Sequence, residues 1–400
     1  MKKLFTQILA SLLVTSAFAL DVSQDKTEQF VYGTVNFTAP NVTLTVTGKY
    51  EQVWYSPRIN FGNDYVYTAG DKVTLNLAEG ASLILNSANA DGSNPGKGLF
   101  GDETVSKSNA DIYITGKGTI STIFTSIVTS NSISKLFLDA STDFSGATYT
   151  IGTAARPTNL TLSNSLIANK LELNAGSIFT MTSDSDSTAS ITLSGTSYVR
   201  GDFIQKAGTY TTSGTTSVYG TLDLSVSKGF KTRYLTLYDG STVIIRAENA
   251  IMESNTAYRV FSIEKNVNTT LKLYADQQFT SLWFVDTNKT SVLNAYTNGN
   301  ALTFSNINNT GTLNIFIEDG SEWVNNKIHF TNATVEKVVD ILGTITVGDI
   351  QVDKSFWDIV SDGNKGVYIN LTAVPEPAEW AMIFGAIAFG FAFMRRQKRK

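Results

Sequence analysis

The chain has no cysteine and a single histidine, His329. Without cysteine there is no disulfide framework, thiolate zinc site, iron–sulfur cluster or thiol nucleophile. With one histidine, paired-histidine metal sites and HExxH chemistry are excluded too. Proline is scarce at 6 residues, and charged residues make up only 16%. Bundles and coiled coils rich in Glu, Lys, Ala and Leu do not have this composition. A hydrophobic share of 42% and an aromatic share of 11% also exclude an acidic disordered chain. These absences leave few routes to a reaction and direct the argument to shape and destination.

Threonine (51), serine (38) and asparagine (31) are abundant, together 120 of 400 residues. They alternate with apolar and β-branched residues in strand-sized runs. Examples are Val42-Thr43-Leu44-Thr45-Val46, Val73-Thr74-Leu75-Asn76-Leu77, Leu235-Thr236-Leu237 and Ile345-Thr346-Val347. A period of two sends one set of side chains inward and the other to solvent. The bends between runs also recur. A turn with an acidic residue or Asn, ending in Gly, appears around Gly80, Gly176, Gly240 and Gly320, and a Gly-Thr bend appears at Gly118, Gly220 and Gly343.

A chain this long exceeds the roughly 250–300 residues of one compact core, so either several domains or one repetitive one is expected. The imperfect repeats point to an all-β fold, a right-handed parallel β-helix in which each coil stacks on the last, with Asn and Thr forming ladders along the stack. The body spans 71–373. The aromatic-rich segment 20–70 is expected to form an N-terminal β cap, 86–109 a loop, and 246–290 an insertion or modified coils. The competing arrangement is a string of antiparallel sandwiches. The body resembles autotransporter passengers in its β-solenoid character, although no C-terminal β-barrel pattern follows.

Both ends carry address-like segments. Lys2 and Lys3 precede an apolar stretch, and Ala17-Phe18-Ala19 supplies small residues at the positions a signal peptidase reads, so cleavage is expected after Ala19. At the other end stand Pro375-Glu376-Pro377, Trp380, an apolar run to Met394, and the basic tail Arg395, Arg396, Lys398, Arg399, Lys400. A helix over 380–394 would span about 22 Å, short of the ~30 Å hydrocarbon core. It is expected as a short C-terminal transmembrane helix that thins the bilayer or uses snorkelling cations. Its basic flank stays cytoplasmic, which leaves the body outside.

This order of elements over 374–400 resembles the PEP-CTERM sorting signal of bacterial exported proteins. The resemblance implies recognition at Pro375, Glu376 and Pro377 by an exosortase, a membrane transpeptidase, often in bacteria that make exopolysaccharide. Two prolines hold that motif extended. Lys2 and Lys3 leave with the signal, and five basic residues and Glu379 with the tail. The mature body then carries 24 basic and 34 acidic residues, net −10. Such a surface repels phosphate backbones, so no nucleic-acid partner is expected.

Candidates for chemistry are few. Asp184 and Asp186 sit in a Ser-rich loop with too few ligands for calcium. Glu318, Asp319 and Glu322 surround one turn and would need a set separation for glycoside hydrolysis. His329 lies alternating in a strand, with nothing marking a triad. The expectation is therefore no catalytic residue, no metal and no cofactor. The chain reads as an exported surface or matrix protein, structural or adhesive, with exopolysaccharide or a cell-surface glycan as partner. The alternative is a polysaccharide lyase or hydrolase on the same fold.

Overall fold

The computed structural model describes residues 20–32, 35–53, 59–61, 67–86, 108–122, 126–128, 133–153, 157–252, 260–285, 288–318 and 323–372. The alternating runs form strands, and neighbouring strands pair in parallel over nearly all of these residues. Three ladders result. The first climbs through Lys72–Leu77, Ser108–Thr115, Ile133–Leu138, Asn159–Leu162, Ile178–Met181, Asp202–Gln205, Thr221–Leu224, Thr242–Ile245, Asn268–Leu273, Val292–Tyr296 and Thr312–Ile317. The second runs through Ser82–Asn86, Thr119–Thr122, Ser141–Ile151, Ser165–Leu173, Ser190–Leu193 and Thr209–Thr212. The third takes the far halves of 141–151 and 165–173, then Ser197–Val199, Thr215–Val218, Tyr234–Leu237, Val260–Ile263 and Gln277–Phe284. Each strand pairs with one from the coil before and one from the coil after. The fold is all-β and solenoid-like, and the parallel pairing excludes the string of antiparallel sandwiches.

Coil length varies. Ser197 meets Thr216 across 19 residues, Asn294 meets Asn314 across 20, and Asn314 meets Thr344 across 30. The inward columns stay in step regardless. Leu136, Leu160, Phe179, Phe203, Leu222, Val243, Leu271 and Ala295 form one such column, and all are buried. The column continues through Leu271, so the described residues of 246–290 keep the same register. Rings meet inside: Phe179 and Phe203 lie tilted 5.1 Å apart, while Tyr210 and Phe230 stack at 4.3 Å and Phe304 and Phe330 at 5.7 Å. Each such side chain contributes about 1.5–3 kcal/mol by leaving water.

The two bend types work differently. Gly80, Gly176 and Gly240 have φ of 79°, 76° and 73°, the left-handed conformation a side chain resists. Gly118 needs closeness instead, since a Cβ there would sit 2.6 Å from the Leu77 Cβ and 2.7 Å from the Ala81 carbonyl oxygen.

In the segment expected to be an N-terminal β cap, Leu20–Val22, Val35–Phe37 and Ile59–Phe61 pair in parallel as a separate three-stranded sheet, while the longer strands join the main stack. Lys26–Tyr32 pairs in parallel with Val42–Val53, which pairs with both Lys72–Leu77 and Ser82–Asn86. Its aromatics Phe37, Tyr50 and Tyr67 are buried.

Pairing changes at the other end. Ile328–Phe330 pairs antiparallel with Val367–Leu371, which pairs antiparallel with Trp357–Ser361. A short helix, Val335–Ile341, lies between; the Thr334 side chain accepts from the Lys337 N–H, and Val338 and Ile341 are buried. No helix among the described residues is long and apolar enough to cross a membrane. The segment 380–394 lies outside them.

Candidate functional site

The residues singled out for export and sorting lie outside the described residues: Ala17, Ala19, Pro375, Glu376, Pro377, Trp380, Arg395, Arg396, Lys398, Arg399 and Lys400. So do Gly320, Asp319, Glu322 and most of the 86–109 loop.

The remaining candidates for chemistry take local structural roles. The Asp184 carboxylate accepts from the N–H groups of Asp186 and Ser187 at 2.8 and 2.7 Å, which closes its own turn. The Ser187 hydroxyl reaches both Asp184 and Asp139, at 3.1 and 2.9 Å. Ser163 also donates to Asp139, at 2.7 Å. Burial, reinforced by nearby Asp184, pushes the Asp139 carboxyl above the usual range, against the pull of the two serines. Asp184 is held below it, first by the Asp186 N–H and then by the Ser187 donors. Asp186 takes no part beyond its backbone.

Glu318 is exposed and faces Lys272 at 3.9 Å, while its N–H donates to the Asn298 side chain at 3.0 Å. His329 stacks on Tyr368 of the antiparallel partner strand at 4.1 Å, and its Nε2 lies 3.0 Å from Asp362. Asp362 also accepts from the N–H groups of Asn364 and Gly366 at 2.7 and 3.0 Å. Its carboxyl is held low, first by the Asn364 N–H and then by His329. This His–Asp contact clasps the antiparallel end of the stack. Among the described residues no three His, Asp or Glu side chains gather as a metal cage.

The outward columns are the chemically distinctive surface. On the second ladder Ser82, Thr119, Ser141, Ser165, Ser190 and Thr209 follow one another coil by coil. On the first, Asn294 donates to Asn268 at 2.5 Å, Asn314 to Asn294 at 3.0 Å, and Thr344 to Asn314 at 3.1 Å. Such ladders satisfy each amide through its neighbour in the stack.

Outward rings form a third pattern. Tyr113 stacks on Phe137 at 4.3 Å, Tyr219 on Tyr238 at 4.0 Å, and Tyr296 on Phe316 at 4.7 Å. In each pair a cation from the preceding coil covers the first ring: Lys72 at 5.6 Å, Arg200 at 5.4 Å and Lys272 at 5.2 Å. A cation on a ring face is worth about 0.5–1 kcal/mol at an exposed site. The members of each set are a whole coil apart, so only a known coil length would reveal them in sequence.

No family model, no curated protein and no solved structure matches this chain.

Proposed function

We propose that the protein is an exported bacterial surface or extracellular-matrix component, structural or adhesive, whose body is a right-handed parallel β-helix. Right-handedness follows the general rule for strand–connection–parallel strand units. In this proposal residues 1–19 direct export, and the PEP-CTERM-like tail holds the chain at the membrane through 380–394 until an exosortase acts near Pro375-Glu376-Pro377. The outer faces, rich in hydroxyl and amide groups, then meet exopolysaccharide or a cell-surface glycan.

The observation that carries the proposal is the order of the terminal elements: Pro-Glu-Pro, a 15-residue run from Trp380 to Met394 and a basic end, opposite a basic–apolar–Ala-x-Ala start. A body stabilised by stacked strands and side-chain ladders suits life outside the cell without disulfides. The proposal has no role for a reaction: Asp184, Glu318 and His329 are engaged in a turn, an exposed ion pair and the terminal clasp.

Mass spectrometry of the exported protein tests the sorting step. A C-terminus near the Pro-Glu-Pro motif is expected. An exported chain still ending in Lys400 would overturn exosortase processing, and a chain retaining Met1–Ala19 in the cytosol would overturn export.

A further inference from the structure

Asn41, Asn249, Asn266, Asn298, Asn309 and Asn326 all have left-handed φ, between 47° and 64°. The residues that follow them are Val, Ala, Val, Gly, Thr and Lys, and Asn298-Gly299 is the only Asn-Gly step in the sequence. That step forms the centre of the turn 297–300, between the strands Val292–Tyr296 and Leu302–Asn308. The Asn300 N–H donates to the Thr297 carbonyl at 2.8 Å, and φ is 48° at Asn298 and 75° at Gly299. Positive φ at both central residues is the type I′ turn, for which Asn-Gly is a preferred pair. The same pair is chemically reactive. The backbone nitrogen after an asparagine can attack the side-chain amide carbon and close a five-membered ring, and glycine leaves that approach open because it has no Cβ.

The surroundings favour that attack. The Gly299 N–H has no acceptor among the described residues, so no hydrogen bond must break before its nitrogen loses a proton. The Asn298 Oδ1 accepts from the N–H of Glu318, one coil on, at 3.0 Å. A donor at that oxygen stabilises the negative charge that develops there when the amide carbon is attacked. The Nδ2 that must leave donates to the Glu318 carboxylate at 3.4 Å, a long bond that holds it loosely. Asn298 and Gly299 are both half-buried, so water reaches the turn.

We infer that Asn298 is a site of self-modification, deamidation through a cyclic imide, with water as the only co-reactant. The Gly299 nitrogen gives its proton to solvent base and bonds to the Asn298 Cγ. The Cγ–Nδ2 bond breaks, and ammonia leaves with a proton taken from water. A second water then opens the ring. Cleavage at Cγ gives aspartate, and cleavage at the backbone carbonyl gives isoaspartate; nothing is oxidised or reduced. The product changes the stack. Glu318 loses an amide donor and faces a carboxylate, with Lys272 at 3.9 Å the one cation paired with it among the described residues. Like charges set directly opposite on neighbouring strands are destabilising. Isoaspartate also adds a carbon to the main chain within the turn. The coil thus records the age of the molecule, whatever the protein's location or partners.

The test is mass-spectrometric peptide mapping of the folded full-length chain held at mildly alkaline pH, read at all the left-handed asparagines. Asn298 should convert to aspartate and isoaspartate at least about tenfold faster than the others, a barrier difference of about 1.4 kcal/mol. The rate should rise with pH, and the imide should appear in passing as a loss of ammonia. Gly299→Ala should slow the conversion. Because alanine is strained at that φ, the denatured wild-type chain is followed as well. Conversion in the denatured chain but not in the folded one would show that the turn protects Asn298 and would overturn the inference, as would equal conversion at every asparagine. Asn298→Asp, which installs the product, should lower the melting temperature, and Glu318→Gln in that background should recover the loss. An unchanged melting temperature would overturn the consequence for the stack.

Discussion

Removing one whole coil is the sharpest test of the stacking. Asp202 faces Thr221 and Phe203 faces Leu222, so excising Phe203 through Thr221 joins Asp202 to Leu222 in register. Phe179 would then meet Leu222, Ile191 would meet Phe230, and Tyr198 would meet Thr236, each replacing a partner of the same orientation. Arg200 would cover Tyr238 in place of Tyr219. The main loss is at Ser197, whose hydroxyl now bonds Thr216 at 3.2 Å and accepts from Tyr210 at 2.5 Å. Facing Leu235 instead, it would be buried without a partner, at a cost of about 1–3 kcal/mol. The excised protein should melt cooperatively at a lower temperature, and Ser197→Ala in that background should recover most of the loss. Small-angle scattering should show a stack shorter by one strand spacing, about 4.8 Å. An excision one residue shorter would set Thr221 against Phe179 and turn Leu222 and Leu224 outward, since a one-residue slip exchanges the faces. That protein should have no cooperative transition. If both excisions melt alike, the inward register described here is wrong.

Three further outcomes are expected. Tyr149→Phe should raise the melting temperature by the equivalent of about 1 kcal/mol, because the Tyr149 hydroxyl is buried without a partner among the described residues. Gly240→Ala should cost about 1–2 kcal/mol through its left-handed φ alone, since nothing lies within 4 Å of the added Cβ, whereas Gly208→Ala, whose Cβ would run into the Ala189 carbonyl, should cost more; denaturant melts compare them. Asp139 titrates above the ordinary Asp value in the folded chain, so its contribution to stability is full below that value and is lost as pH rises through the folded one. Asp139→Asn should therefore raise the melting temperature at pH 7 and change it little in strong acid; equal shifts at both would contradict the assignment.

Alternation revealed the strands and their faces because period two is written in every run, such as Leu235-Thr236-Leu237. The repeat length was hidden because the coils run from the 19 residues between Ser197 and Thr216 to the 39 between Lys72 and Asp111 while the inward columns stay aligned. Glycine punctuation found the bends at Gly80, Gly176 and Gly240 but missed later ones. There Asn249, Asn266, Asn298, Asn309 and Asn326 take φ of 47° to 64°, since Asn tolerates the left-handed region. The terminal clasp could not be read either: His329 and Asp362 meet only because the strands containing His329 and Tyr368 reverse direction. The column of Ser217, Thr236 and Ser262 is a product of register, for nothing local marks these residues as neighbours.

The antiparallel end has a consequence for growth. A parallel stack is open-ended in principle, because its last strand offers a free row of donors and acceptors to any passing chain. At Ile328–Phe330 that row is taken by a strand of opposite sense, covered in turn by Trp357–Ser361. The end of that ladder is thereby moved from a parallel coil to the outer edge of Trp357–Ser361, so a second copy could not continue the stack there in the same sense.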